Sequence, residues 1–177
     1  MNLQPLLAGG HVERPSGEGF TIAILPWSFD VRDRTLSHLT PERTYGLVAT
    51  ALSQEEAFHL THACYRWDGL GAERVQKVTL TPDETESVWM KAGLFSKPEP
   101  DTEVVSGIGR RLGADLVLMI RTVGPLGNYI HWKTFLVETE TGRVHVQKES
   151  ANGWTAHEDI AKRLHKQFRA YLTEAAR

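Results

Sequence analysis

The sequence predicts an α/β protein with a mixed sheet flanked by helices, in which βα units precede a three-strand antiparallel meander and a C-terminal helix. Three observations lead to this fold class. Residues 20–25 form a short apolar run, which is typical of an interior strand buried on both faces. Helical patterns separate this run from a second apolar run at residues 116–120. Two turn signals then divide the residues that follow into consecutive strands.

The length and charge of the chain limit what it can be. Its 177 residues allow one domain with an appended arm. Residues 1–19 contain six glycines or prolines, so we interpret them as an extended N-terminal arm and residues 20–177 as a single α/β domain. The formal net charge is -2, whereas proteins that hold nucleic acid through its phosphates carry a basic excess. We therefore expect no nucleic-acid partner.

No apolar run approaches the roughly 20 residues that a membrane-spanning helix needs, so no membrane span is expected. The first ten residues lack the basic and apolar regions of a signal peptide. If Met1 is the native start, we expect a cytoplasmic protein. If a leader was removed, the alternative is the periplasm or the cell envelope.

The first half of the domain carries two helix starts. Thr40, which a proline follows, fits an N-cap. Thr81 and Glu84 fit a capping box, and the helix that they open is expected to end near Gly93. Residues 57–67 fit either a helix or a strand, and the favoured interpretation is a helix that runs into a strand.

The second half contains a further helix and the start of the meander. Asp101 is expected to open the helix and Gly113 to close it. After the strand at residues 116–120, a turn at residues 124–128 is expected to lead into a strand at Tyr129–Glu138.

The end of the chain completes the meander and closes the domain. A hairpin turn at residues 140–142 leads to a strand at residues 143–150, which could form a sheet edge. Thr155 and Glu158 fit a capping box that opens a closing helix. Apolar side chains recur along this helix at helical spacing and are expected to face inward: Ile160, Ala161, Leu164, Phe168, Tyr171 and Leu172.

Three short segments occur in a recognisable order. Residues 22–27 read Ile-Ala-Ile-Leu-Pro-Trp, residues 108–118 join a helix end to Leu-Gly-Ala-Asp and an apolar strand, and residues 137–144 contain an acidic-Thr-Gly turn. In this order they resemble the TolB N-terminal-like, CsgG-like and FlgO-like bacterial domain group, over roughly residues 20–150. The resemblance implies a role in assembly, docking or regulation, with no catalytic residue set. Envelope members of the group usually carry a signal peptide or a lipidated cysteine, and neither is seen here.

Motifs for cofactors and catalysis are weak. The glycines from Gly107 to Gly113 miss the dinucleotide-binding spacing and end a predicted helix, so helix packing is favoured. His59, His62 and Cys64 are of metal-ligating types, but a closed zinc site needs four ligands and the chain has no second cysteine. We therefore predict no cofactor, no metal and no catalytic residue. The sequence favours a protein that is not an enzyme.

Aromatic residues give the functional prediction. Trp27 and Phe29 follow a proline break, and Tyr129 and Trp132 lie in a strand with apolar residues on both faces. Most large aromatic residues are core residues, but where these four are exposed we predict that they bind a partner. The hypothesis is a non-catalytic interaction or assembly module of a bacterial complex that docks a protein partner, or a second copy, by a sheet edge or an aromatic patch. The alternative is a small-molecule or metal-sensing regulatory domain that uses residues 59–64.

Overall fold

A computed structural model of the chain describes residues 19–31, 40–69, 74–90, 97–126, 129–152 and 156–175. Apart from Gly19, the predicted arm lies outside these residues, as does the predicted cap residue Thr155. The helices are α1 (Pro41–Ser53), α2 (Pro82–Ser87), α3 (Thr102–Leu112) and α4 (Ala156–Ala175). The strands are β1 (Phe20–Ile24), β2 (Ser28–Val31), β3 (Phe58–Ala63), β4 (Gln76–Lys77), β5 (Trp89–Met90), β6 (Glu99–Pro100), β7 (Leu116–Leu126), β8 (Tyr129–Glu138) and β9 (Val144–Asn152).

Seven of the described strands form one mixed sheet in the order β4-β3-β1-β7-β8-β9, with β2 beside β7. The pairs β3–β4, β1–β3, β1–β7 and β2–β7 are parallel. The pairs β7–β8 and β8–β9 are antiparallel and form the meander. The predicted fold class is therefore confirmed, including the three-strand meander and the C-terminal helix α4.

Helices cover both faces of the sheet, because alternate residues of its central strands are apolar on each side. Ile24 and Leu118 belong to a buried cluster with residues of α1 and α4. Val117 and Met119 belong to a second cluster with residues of α3. The inward residues predicted for α4 include Leu164, Phe168 and Tyr171, which are buried, and Leu172, which is partly buried against the first cluster.

A proline separates two consecutive strands, β1 and β2, which both pair with β7. Pro26 lies between β1 and β2, and both strands run parallel to β7. Ile22 of β1 lies opposite Leu116, and Ser28 of β2 lies opposite Arg121 farther along β7. The chain's own β2 therefore occupies the space beyond the carboxyl end of β1, where open α/β sheets commonly bind ligands.

The Leu-Gly-Ala-Asp segment ends α3 and bonds to the start of β1. The Asp115 carboxylate accepts hydrogen bonds from the Thr21 amide at 2.8 Å and the Thr21 hydroxyl at 2.7 Å. These bonds join the start of β1 to the residue before β7. Gly113, at φ 65°, ends α3 in the left-handed conformation that glycine adopts without strain.

Three of the predicted helix starts are confirmed. Thr40 caps α1, Thr81 and Glu84 form a complete capping box at α2, and Asp101 caps α3 through its side chain. Each cap satisfies amides that the first helical turn leaves without a partner.

Two expectations for the first half were wrong. Residues 57–67 do not begin as a helix, because residues 58–63 form β3 and pair with β1. This long-range pairing, which buries Phe58, outweighs the helical spacing. Helix α2 ends at Ser87 instead of near Gly93, because Trp89 starts β5 and its indole donates a hydrogen bond to the Pro26 carbonyl at 2.8 Å.

The turn expected at residues 124–128 begins later than predicted, since β7 continues to Leu126. Strand β2 pairs with β7 as far as Gly124, so Pro125 lies beyond this ladder and its missing N–H leaves no β2 partner unpaired. A Cβ at Gly124 would lie 2.5 Å from Ile130 Cδ1 and 3.3 Å from Ile130 Cα, so any larger residue here would displace the Ile130 side chain. The hairpin at residues 140–142 lies as predicted, with Gly142 at φ 70°.

Candidate functional site

The four aromatic residues expected to bind a partner do not form one patch. Trp27 and Trp132 are core residues, 7% and 3% exposed. The Trp27 ring also lies 5.0 Å from that of Tyr65, between centroids. Phe29 is half-buried against the same core, and Tyr129, the first residue of β8, is 54% exposed. Of the four, Tyr129 offers the most surface to a partner.

Strand β9 forms an edge of the sheet, as the sequence indicated for residues 143–150. It pairs with β8 and, within the described residues, with no other strand. The opposite end of the sheet is the two-residue β4, whereas β9 has nine residues. A long edge strand offers backbone donors and acceptors for another strand, and a two-residue strand offers few.

The register of β8 and β9 shows which backbone groups face outward. The Glu138 amide donates to the Arg143 carbonyl at 2.8 Å, so these two residues form a hydrogen-bonded pair. Hydrogen-bonded and non-hydrogen-bonded pairs alternate along an antiparallel ladder. From this alternation and the unbroken register, every second residue of β9 directs its N–H and C=O groups away from β8, among them Val144, Val146, Lys148 and Ser150.

A buried carboxylate holds the hairpin that begins this strand. The Glu138 carboxylate accepts hydrogen bonds from Thr141 Oγ1 at 2.6 Å and Arg143 Nη2 at 2.7 Å, and contacts His145 Nε2 at 2.9 Å. Burial alone would raise the pKa of Glu138, but the bonds from Arg143, Thr141 and His145 outweigh burial and lower it to about 2. His145 also stacks edge-on against Tyr171 of α4, with centroids 4.7 Å apart. The edge strand is therefore fixed to the hairpin and to α4.

A row of three cations crosses the sheet and ends at this edge. Arg121 of β7 lies directly opposite Lys133 of β8, which lies directly opposite Lys148 of β9. Directly opposite residues share a face, and like charges there destabilise a sheet unless a counter-charge is near. Glu99 of β6 supplies one carboxylate, in contact with Lys133 Nζ and 3.8 Å from Arg121 Nη1. Lys133 and Arg121 also lie over the Phe135 ring, at 4.8 and 5.9 Å from its centroid.

An apolar row lies on one side of the cation row. Phe135 lies opposite Val146, which is 47% exposed on the edge strand. Tyr129 shares this face, because it precedes Lys133 by an even number of residues in β8. The face therefore presents an exposed apolar side chain next to cations, at a strand whose backbone faces outward. Sequence reasoning found the edge but missed the cation row, because the row depends on the strand register.

His59, His62 and Cys64, the possible metal ligands, do not form a group that could hold a metal ion. Among the described residues, no group of three or more His, Cys, Asp or Glu side chains could hold a metal ion. His62 Nδ1 instead contacts the Thr61 hydroxyl at 2.9 Å. Burial raises the pKa of the Cys64 thiol to about 12, which keeps it protonated and a poor nucleophile at neutral pH.

A cavity of about 260 Å³ lies beside Cys64. Tyr45, Tyr65, Trp67 and Lys77 contribute to its walls. Tyr45 is fully buried, its hydroxyl has no hydrogen-bond partner, and burial raises its pKa to about 12. The cavity thus combines aromatic walls with the cation of Lys77, whereas the Tyr45 hydroxyl is closed off from solvent.

The glycine-rich segment is a packing element. Gly107 and Gly109 lie inside α3, and a Cβ at Gly109 would lie 2.4 Å from Thr139 Oγ1. Gly109 therefore lets the helix approach the hairpin closely, whereas a Cβ at Gly107 would meet nothing within 4 Å. Because both glycines lie inside a helix, they do not form a loop around a phosphate. No helix among the described residues combines the length and the apolar character that spanning a membrane requires.

Comparisons with known proteins found similar structures at low identity. No family model matches the chain, and no curated protein matches it. The C-terminal domain of LpoB from Salmonella enterica is 16% identical, with a TM-score of 0.45, over 76% of this chain and 84% of that one. The same domain from Escherichia coli is 18% identical, with a TM-score of 0.43, over 76% and 83%. A lipoprotein from Neisseria meningitidis is 15% identical, with a TM-score of 0.39, over 75% and 79%. These comparisons do not confirm the specific TolB, CsgG and FlgO resemblance, which stays a prediction.

Proposed function

We propose that this chain is a non-catalytic protein-interaction module that binds an extended segment of a partner protein by strand addition to β9. The observation that carries the proposal is the outward direction of the backbone groups of Val144, Val146, Lys148 and Ser150 on a nine-residue edge strand. In strand addition, main-chain hydrogen bonds supply affinity and alternate side chains supply specificity. The exposed side chains of Val146 and Tyr129 supply apolar contact beside that edge.

The charges on this strand support a selective edge. Exposed charged residues such as Lys148 are a usual protection of edge strands against indiscriminate pairing. A charged side chain disfavours pairing with an apolar strand and favours pairing with a strand that carries the opposite charge. The same residue therefore protects the edge and selects its partner.

A different protein fits this edge better than a second copy. Two copies of β9 can continue the sheet about a twofold axis only if that axis is perpendicular to the sheet, which keeps each face on its own side. On the face that carries Lys148, the other β9 residues are Val144, Val146, Ser150 and Asn152, none of them acidic. A second copy therefore brings no β9 carboxylate to the cation row in any such register.

Site-specific photo-cross-linking in the native cells tests this function. A photoreactive amino acid replaces Lys148 at the edge or, as the control, the exposed Thr85 of α2. We expect a cross-link to one partner protein from position 148 and none from position 85, and the fraction that holds the complex reveals the compartment. Equal capture from both positions, a cross-link to a second copy, or a cross-link within the chain would contradict the proposal.

The cavity beside Cys64 favours a second candidate, a regulatory domain that binds a small molecule. Its ligand would be a planar apolar compound with a carboxylate that pairs with Lys77 at the cavity wall. Thermal denaturation with benzoate, and separately with zinc, tests it, because a ligand selective for the folded state raises apparent stability. Stabilisation by benzoate that Lys77→Gln removes supports the cavity, and stabilisation by zinc that Cys64→Ser removes supports a metal sensor. No shift with either compound would contradict this candidate.

A further inference from the structure

We propose that the partner strand carries a carboxylate opposite Lys148 and an apolar side chain two residues away, opposite Val146. This inference rests on the proposed strand addition and names the chemistry that the edge selects. It follows from the register of three strands, which continues across the edge into whatever strand pairs there.

In the ion pairs of the described residues, one carboxylate, that of Glu99, contacts the cation row. Arg121, Lys133 and Lys148 all attract the Glu99 carboxylate and lower its pKa, with the bond from Lys133 as the largest cause. Three positive charges therefore face one negative charge among these residues. A strand added to β9 would place its next side chain on this face directly opposite Lys148, as the fourth member of the row. A carboxylate there supplies a missing counter-charge, whereas a cation there would add a fourth like charge.

The neighbouring row selects an apolar side chain. Met119, Phe135 and Val146 lie opposite one another on β7, β8 and β9. Met119 and Phe135 are buried, and Val146 is the exposed end of the row. Because side chains on one face recur every second residue, the apolar and acidic positions of the partner are two residues apart. The face thus selects a short pattern instead of a general negative charge.

Glu99 sets how strongly this pattern is bound. Its side chain is 57% exposed, and it contacts the middle cation of the row from the separate two-stranded sheet of β5 and β6. A partner carboxylate shares the cations with Glu99, so Glu99 weakens the binding of acidic strands. Removing its charge should tighten them.

Selection from a random twelve-residue peptide library against the full chain tests the inference. Peptides are kept only if they bind the wild-type chain and fail to bind Val146→Pro, which removes an outward N–H. We expect these peptides to be enriched in Asp or Glu two residues from an apolar residue. Edge-dependent peptides without this pattern would overturn the inference and leave strand addition standing. If no peptide depends on the edge, both proposals fail.

Calorimetry on one selected peptide then measures the contribution of the carboxylate. Replacing its Glu by Gln should weaken binding about tenfold to the wild-type chain and less than twofold to Lys148→Gln, given the usual strength of charge-assisted hydrogen bonds. Glu99→Gln should tighten the acidic peptide several-fold, whereas the control Glu103→Gln, at an exposed position of α3, should not. Equal binding of the Glu and Gln peptides would overturn the inference. Thermal denaturation of each variant confirms that it is folded.

Discussion

Lys133 and Lys148 lie directly opposite each other on β8 and β9, with Lys148 on the strand that ends the sheet. Two like charges in this position cost stability unless a counter-charge is near. The contact between Glu99 and Lys133 provides one within the chain. This arrangement is the basis for the proposal that the edge binds an acidic, extended partner.

Proline substitutions should distinguish the residues of β9 whose N–H points outward from those whose N–H bonds to β8. At Val146 the N–H points outward, so Val146→Pro should lower the free energy of unfolding by about 1 kcal/mol or less and abolish partner binding. At Gln147 the N–H bonds to β8, so Gln147→Pro should cost at least about 2 kcal/mol more, because a ladder bond is lost. Urea unfolding followed by circular dichroism compares the two. Equal losses of stability would show that the outward assignment is incorrect.

Stability at acid pH should depend on Glu138. Its pKa is about 2 in the folded chain, against an ordinary value of 4.5, so its contribution is complete above pH 4.5 and is lost as the pH falls towards 2. Integrated over this shift, the contribution is about 3 kcal/mol. Glu138→Gln should lower stability at pH 7 and flatten its decline between pH 5 and 2.

Urea titrations at pH 7, 5, 4 and 3 measure this dependence. The exposed Glu140, in the same turn, gives the matched control Glu140→Gln, which should retain the decline seen in the wild-type chain. A Glu138→Gln variant that declines with pH as steeply as the wild-type chain would contradict the role of this carboxylate.

The effect of replacing an aromatic residue by alanine should depend on how deeply that residue is buried. Trp132→Ala should cost about 3–5 kcal/mol, because the side chain is 3% exposed and its loss leaves a cavity. Tyr129→Ala should change stability by less than about 0.5 kcal/mol and weaken the complex, since Tyr129 is 54% exposed on the face of the cation row. Thermal unfolding and a binding assay measure both effects. A stable Trp132→Ala variant that loses only its partner would instead restore the predicted role of Trp132 as a contact residue.

Salt should reveal the charge excess around Lys133. In Glu99→Gln the three cations of the row lose their counter-charge, so stability should fall at low salt and recover as salt screens the repulsion. The loss should be below about 1 kcal/mol, because Glu99 is largely exposed. Thermal denaturation at 10 and 500 mM salt detects it, with Glu103→Gln as the control. A melting temperature that falls equally at both salt concentrations would contradict a repulsive cation row.

Local signals in the sequence predicted much of the fold. The caps at Thr40, Thr81 and Asp101 are local chemistry, and so is the αL residue Gly113, so each could be identified from neighbours in the chain. Strand β3 was ambiguous because its place is decided by pairing with β1, which lies far away in sequence. Periodicity alone cannot detect such pairing.

The candidate site was less predictable than the fold. The edge at β9 followed from the hairpin turn, but the row of Arg121, Lys133 and Lys148 depends on the register of two hairpins. Register changes by one residue whenever a turn contains a bulge, and such a change moves every side chain to the other face. The burial of Trp27 and Trp132 likewise depends on which helices cover the sheet. These are tertiary facts, and a residue's type does not specify them.

Hydrogen exchange of the β9 amides tests strand addition most directly. The amides of Val146 and Lys148 face outward, while that of Gln147 bonds to β8 and serves as an internal control. Exchange is measured by NMR on the full chain, free and saturated with the partner identified by cross-linking. We predict that exchange at Val146 and Lys148 slows at least tenfold in the complex, while Gln147 is protected in both states. Unchanged exchange at Val146 and Lys148 in the saturated complex would contradict the proposal that the partner adds a strand to β9.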